Sequence, residues 1–130
     1  MYKAVTRGIR VTVEPRFVEE ESQPEKGKFF FAYTVEITNL STDRVQLESR
    51  HWTIVDGHGR FQRVNGAGVV GKQPVLGPGE SFTYTSGCPL ETPDGTMEGS
   101  YLMLLETGEA FKAEIPAFAL ESPFAKHVLH

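Results

Sequence analysis

Apolar and polar residues alternate in step with a half-buried strand, and no stretch of useful length repeats at helical spacing. Ile9, Val11 and Val13 alternate with Arg10, Thr12 and Glu14; Phe29, Phe31, Tyr33, Val35 and Ile37 alternate with Ala32, Thr34, Glu36 and Thr38. From Arg44 to Val55 the pattern changes step. Val45 and Leu47 share one parity, whereas Trp52 and Ile54 take the other. One extra residue near Ser49 to His51 would re-aim every later side chain, so the pattern predicts a β-bulge there. Phe82 and Tyr84 mark a further strand, Tyr101 to Leu105 a nearly continuous apolar one, and Phe111, Ala113 and Ile115 the last regular alternation.

Turn formers separate these segments: Gln23-Pro24-Glu25-Lys26-Gly27, Asp56-Gly57-His58-Gly59, Leu76-Gly77-Pro78-Gly79-Glu80, Thr92-Pro93-Asp94-Gly95 and Thr107-Gly108-Glu109. About seven short strands at this spacing predict an all-β fold, an immunoglobulin-like or fibronectin type III-like two-sheet antiparallel sandwich, with a Greek-key barrel as the alternative. Pro116 interrupts the last strand and so belongs on a sheet edge or at a bulge. Trp52, on a central strand, reads as core.

Composition narrows the picture. A chain of 130 residues, 39% hydrophobic and 23% charged, fits one globular domain spanning residues 1–130, with a mobile tail from about residue 122. No wholly apolar run is longer than the five residues of Phe29 to Tyr33 and of Tyr101 to Leu105, far short of the roughly 20 that span a bilayer. A single cysteine, Cys88, allows no intrachain disulfide, and the start of the chain reads as lacking a secretion signal; the expectation from both is a cytoplasmic protein away from membranes. Without a secretory route, Asn39-Leu40-Ser41 is a turn rather than a glycosylation acceptor.

Gly66-Ala67-Gly68-Val69-Val70-Gly71 matches the G-x-G-x-x-G loop that carries a pyrophosphate at a helix N-terminus. Here Lys72-Gln73-Pro74 follows at once, so no helix can start. The stretch is read as an inter-strand loop, and Glu91 at the ribose-acid spacing as coincidence. Charge leaves a narrower question. Between Arg50 and Gly79, Arg50, Arg60, Arg63 and Lys72 face only Asp56, a net +3 in a chain of −4, so the remainder carries −7. These four cations with Gly66, Gly68 and Gly71 form a candidate anion site for a phosphate-containing small molecule. The plainer reading, glycines for a close strand crossing and solvated arginines, is the one the sequence favours.

Other chemistry is thinner. His51, His58, His127 and His130 lack ligand spacing toward one another or toward Cys88, so no metal site and no cofactor is expected. Cys88 or Ser86 with His51 and Asp56 has the residue types of a nucleophilic triad, but nothing in the spacing joins them. Glu19-Glu20-Glu21 reads as a solvated strand end or hairpin tip, and a net charge of −4 disfavours nucleic acid.

The blocks Arg50-His51-Trp52-Thr53-Ile54-Val55-Asp56, Val64-Asn65-Gly66-Ala67-Gly68-Val69-Val70-Gly71-Lys72-Gln73-Pro74, Leu76-Gly77-Pro78-Gly79-Glu80, Phe82-Thr83-Tyr84-Thr85-Ser86, Gly95-Thr96-Met97-Glu98-Gly99-Ser100-Tyr101 and Ile115-Pro116-Ala117-Phe118 together resemble the ApaG (CorD) family along nearly the whole chain. The resemblance implies a fibronectin type III-like sandwich in a bacterial cytoplasmic protein. It also implies a link to cobalt tolerance and magnesium efflux, and kinship with protein-interaction domains of eukaryotic F-box and DNA-polymerase-interacting proteins. It supplies no catalytic residue. The expectation is therefore a non-enzymatic module that binds a protein partner, with a small-anion regulator or a divalent-metal binder as alternatives.

Overall fold

The computed structural model describes residues 1–125. Nine strands run in chain order: β1 (Tyr2–Thr6), β2 (Ile9–Phe17), β3 (Phe29–Asn39), β4 (Val45–Asp56), β5 (Phe61–Ala67), β6 (Val75–Leu76), β7 (Ser81–Leu90), β8 (Asp94–Leu105) and β9 (Ala110–Glu121). They form two antiparallel sheets, β1-β2-β3-β7 and β5-β4-β8-β9, with β6 added beside β4. The fold is a sandwich, not a barrel. Seven long strands build it, and two extras explain the higher count. β1 pairs with β2 across the turn at Arg7 and Gly8, whose φ values of 48° and 81° suit a two-residue hairpin, and β6 is two residues long. Glu19–Glu21 is an exposed 3-10 turn.

The inward residues of β2 and β3 meet those of β4, β8 and β9, and Ile9, Val11, Phe31, Val35, Ile37, Tyr101, Met103 and Ala113 are fully buried. Trp52 lies at the centre, its ring 5.3 Å from Tyr33 and 6.0 Å from Phe118. A buried aromatic of this size contributes about 3–5 kcal/mol relative to alanine. The change of step in β4 is real but sits at Glu48. Leu47 pairs with Met103 and Ser49 with Leu102, which leaves Glu48 as the extra residue. Arg50 therefore pairs with Tyr101 and shares the inward parity of Trp52 and Ile54. Pro116 satisfies both of its expected placements, for β9 ends its sheet and the register with β8 shifts between Met97 and Gly99.

The two sides of the sandwich differ. On one side β1 and β9 cover each other: the Glu114 N–H donates to Thr6 Oγ1 at 3.0 Å, and Arg7 pairs with Glu109 at 3.2 Å while lying 4.6 Å over the Phe111 ring. On the other side β5 and β7 each pair with a single neighbour, so two sheet edges face outward along an open seam. Of the tail, residues 122–125 rest on the sandwich, with the Ser122 N–H donating to Pro93 at 3.1 Å and the Phe124 ring 6.1 Å from Phe17. The rest of the expected tail, with His127 and His130, lies outside the described residues.

Candidate functional site along the open seam

The glycine motif is only half a loop. Gly66 and Ala67 belong to β5, and the chain then turns back through a tight hairpin in which the Val69 and Lys72 N–H and C=O groups exchange bonds of 2.8 and 2.9 Å. Its glycines answer three separate needs. A Cβ on Gly66 would fall 2.9 Å from the Arg50 guanidinium carbon; Gly68 holds φ 62° with the Lys72 carbonyl where a Cβ would point; Gly71 holds φ 78° at the second turn position. The first turn position is Val70, exposed yet at φ 43°, a strained setting for a β-branched residue. The bulge anchors this hairpin, because the Glu48 carbonyl accepts from the Gly68 N–H and from Gln73 Nε2, each at 2.9 Å.

The four cations part company. Arg50 points inward and donates from Nη1 to the Ala67 and Gly68 carbonyls at 3.1 and 2.9 Å. Arg60 is tied to Asp56 at 2.9 Å, Arg63 lies 5.6 Å over the exposed Phe61 ring, and Lys72 is an exposed hairpin residue. Closeness in sequence thus yields one inward arginine and three scattered outward ones. Behind Arg50 the Tyr84 and Tyr101 hydroxyls bond to each other. Burial raises the pKa of both, and for Tyr101 the neighbouring Tyr84 adds to it.

The triad types stay apart as well. His51 lies on the outer face of β4, bonded to Ser49 Oγ at 3.0 Å and Asn65 Oδ1 at 3.1 Å. Cys88 is buried on β7 in the facing sheet, and burial pushes its thiol up to about 11. Among the described residues no three His, Cys, Asp or Glu side chains group as metal ligands.

Sequence reading missed the cleft at one end of the seam. It has a volume of about 570 Å³ and lies where the starts of β3 and β5 meet the ends of β4 and β7. Phe29, Phe30, Ile54, Phe61 and Leu90 give it apolar walls, with Glu21, Lys28 and Glu91 among its charged lining. Phe61 is 64% exposed. Its only sequence signal is an aromatic directly after a turn, opening a strand with little apolar alternation.

Comparison with known proteins sets this geometry in a family. The ApaG domain profile matches residues 19–105. The chain belongs to the ApaG family. Protein ApaG of a Methylobacterium species is 69% identical over all 130 residues of both chains, and that of Azorhizobium caulinodans is 55% identical over the same span. The crystal structure of an ApaA protein from Bordetella pertussis superposes with a TM-score of 0.87 at 51% identity, covering 90% of this chain and 95% of that one. The C-terminal domain of wzt, at 9% identity and a TM-score of 0.56, shares the fold alone. Within this ApaG chain the profile match takes in the glycine hairpin, Phe61, and β7 with its free edge.

Proposed function

We propose that this chain is a non-enzymatic binding module of the cytoplasm that engages a protein partner at the open side of its sandwich. The observation that carries the reading is the cleft of about 570 Å³ rimmed by Phe61. Apolar pockets of several hundred Å³ with a few charged groups at the rim are the usual form of a recognition site, and aromatic side chains dominate the energy of protein contacts. The non-enzymatic reading is supported by the one thiol, which is buried with its pKa raised, and by His51, which lies on the outer face of β4 in the other sheet.

A photo-crosslinking residue placed at Phe61 tests the proposal against the same residue at Lys112, on β9. A recurrent protein adduct in cells from position 61 alone is expected. Adducts that fail to form at 61, or form equally at 112, overturn the reading.

A second reading, a small-anion regulator, rests on Arg50, which forms no ion pair with the described residues. Pyrophosphate titrated against the amide resonances of Gly66, Gly68 and Gly71 decides it; unchanged shifts dismiss it.

A further inference from the structure

We propose that β7 accepts an extended segment of a partner protein as an added antiparallel strand, the residue at the N-terminal end of that segment entering the cleft. The inference rests on the cleft reading and specifies how the partner binds.

Four strands end the two sheets, and three are guarded. β1 and β9 cover each other and carry Lys3, Lys112 and Glu114, while the seven-residue β5 bears Arg63 near its middle. β7 is ten residues long, Ser81-Phe82-Thr83-Tyr84-Thr85-Ser86-Gly87-Cys88-Pro89-Leu90, without one charge. Proteins blunt free edges with lysines, bulges or short strands, and an edge left long and neutral is suited to strand addition.

The hydrogen-bond phase fixes which groups are free. Asn39 donates its N–H to the Glu80 carbonyl at 2.9 Å, and Phe30 bonds toward the opposite side, to Val18 and Ser22. Alternation along an antiparallel ladder then turns Phe82, Tyr84, Ser86 and Cys88 toward β3, and leaves the backbone groups of Ser81, Thr83, Thr85 and Gly87 pointing outward. Pro89 falls on the outward phase, where its missing N–H ends the ladder. The cleft begins at that point, since Pro89, Leu90 and Glu91 line it. A strand antiparallel to β7 would therefore lay its first residue in the cleft and its remaining backbone on the edge.

A second copy of the chain does not suit both parts. Self-pairing through these groups would bring Gly77 to Glu80 to the cleft, a tight turn whose one apolar side chain is the Pro78 ring and whose Glu80 carboxylate is bonded back to the Gly77 N–H. The fitting occupant has an apolar or aromatic anchor for the walls of the cleft, a basic residue before it to meet Glu21, since Arg60 already pairs with Glu91 and Asp56, and an uncharged β-forming run after it.

A capped peptide with an Arg-Phe pair followed by alternating Val and Thr is the probe, with a twin N-methylated on the amides that would face β7. Hydrogen exchange at Thr83, Thr85 and Gly87 is expected to slow about tenfold at saturating peptide but not with the twin. Thr83→Pro, which removes one outward N–H and no bond to β3, is expected to weaken binding about tenfold with melting still cooperative. Shifts at Phe61 and Leu90 without edge protection overturn strand addition and leave the cleft reading standing. No response at either place overturns both. Edge protection that grows with protein concentration alone overturns the foreign segment in favour of a second copy.

Discussion

The Arg50 guanidinium rests against the bare α-carbon of Gly66 and bonds to the carbonyls of the two residues that follow it. The two residues are cross-strand partners on β4 and β5, so the missing side chain is what lets an inward arginine reach the edge of its sheet.

Gly66 and Gly68 should therefore respond differently to alanine. At Gly66 the new methyl meets the far end of a flexible side chain, and a loss below about 1 kcal/mol is expected in urea unfolding. At Gly68 the methyl meets the Lys72 carbonyl backbone at 2.1 Å with φ at 62°, so a loss of about 2–4 kcal/mol is expected. Equal losses would contradict this account of the motif.

The Tyr84 and Tyr101 hydroxyls are each other's only hydrogen-bond partners among the described residues. Tyr84→Phe leaves the wholly buried Tyr101 hydroxyl alone and should cost about 1–3 kcal/mol. Adding Tyr101→Phe removes the stranded group, so the double variant should be no less stable than the single one. Additive losses in a double-mutant cycle would show that the pair is not coupled.

Cys88 is 3% exposed, with its thiol raised to about 11. At pH 8 only on the order of one part in a thousand is thiolate in the folded chain. Labelling by a disulfide reagent should track global unfolding as urea rises, and rapid labelling of the native protein would show that the seam opens locally.

At Asp56 burial pulls the carboxyl pKa up, but the His58 and Arg60 N–H groups and the Arg60 guanidinium outweigh it and leave it below the ordinary range. A lowered folded pKa contributes stability that is present above the unfolded value, near about 4. That contribution fades as pH falls from there through the folded value. The melting-temperature advantage of wild type over Asp56→Asn should be constant near neutrality and shrink below about pH 4. A gap unchanged by acid would remove Asp56 as the anchor of this turn.

What the sequence showed and what it hid follow from burial. Ile9 to Val13 and Phe29 to Ile37 were legible because each has one dry and one wet face. The bulge was legible because Trp52 and Ile54 break the parity of Val45 and Leu47, although only the pairing with β8 places it at Glu48. β5 left almost no pattern, since of its inward residues Gln62, Val64 and Gly66 only Val64 is apolar, and Phe61 is exposed beside the cleft. The first half of β8 was hidden by turn-like residues. Gly95 and Gly99 are there because a Cβ would strike the Val55 and His51 carbonyls at 2.6 and 2.0 Å. The basic cluster misled for a related reason. Linear spacing carries charge, but strand parity decides direction, and it sends Arg50 inward and Arg63 outward.

The extra residue at Glu48 makes β4 a text read in twos with one inserted letter. Everything downstream depends on that letter for its frame. Deleting Glu48 would hand Trp52 and Ile54 to solvent and turn His51 and Thr53 into the core. The same deletion in the Asp56–Arg60 turn would disturb that turn's own hydrogen bonds but leave the preceding parity of β4 as it is. A position whose side chain makes no contact of note thus holds a whole strand in phase, and tolerance to insertion and deletion along this chain is set by register rather than by the chemistry of the residue removed.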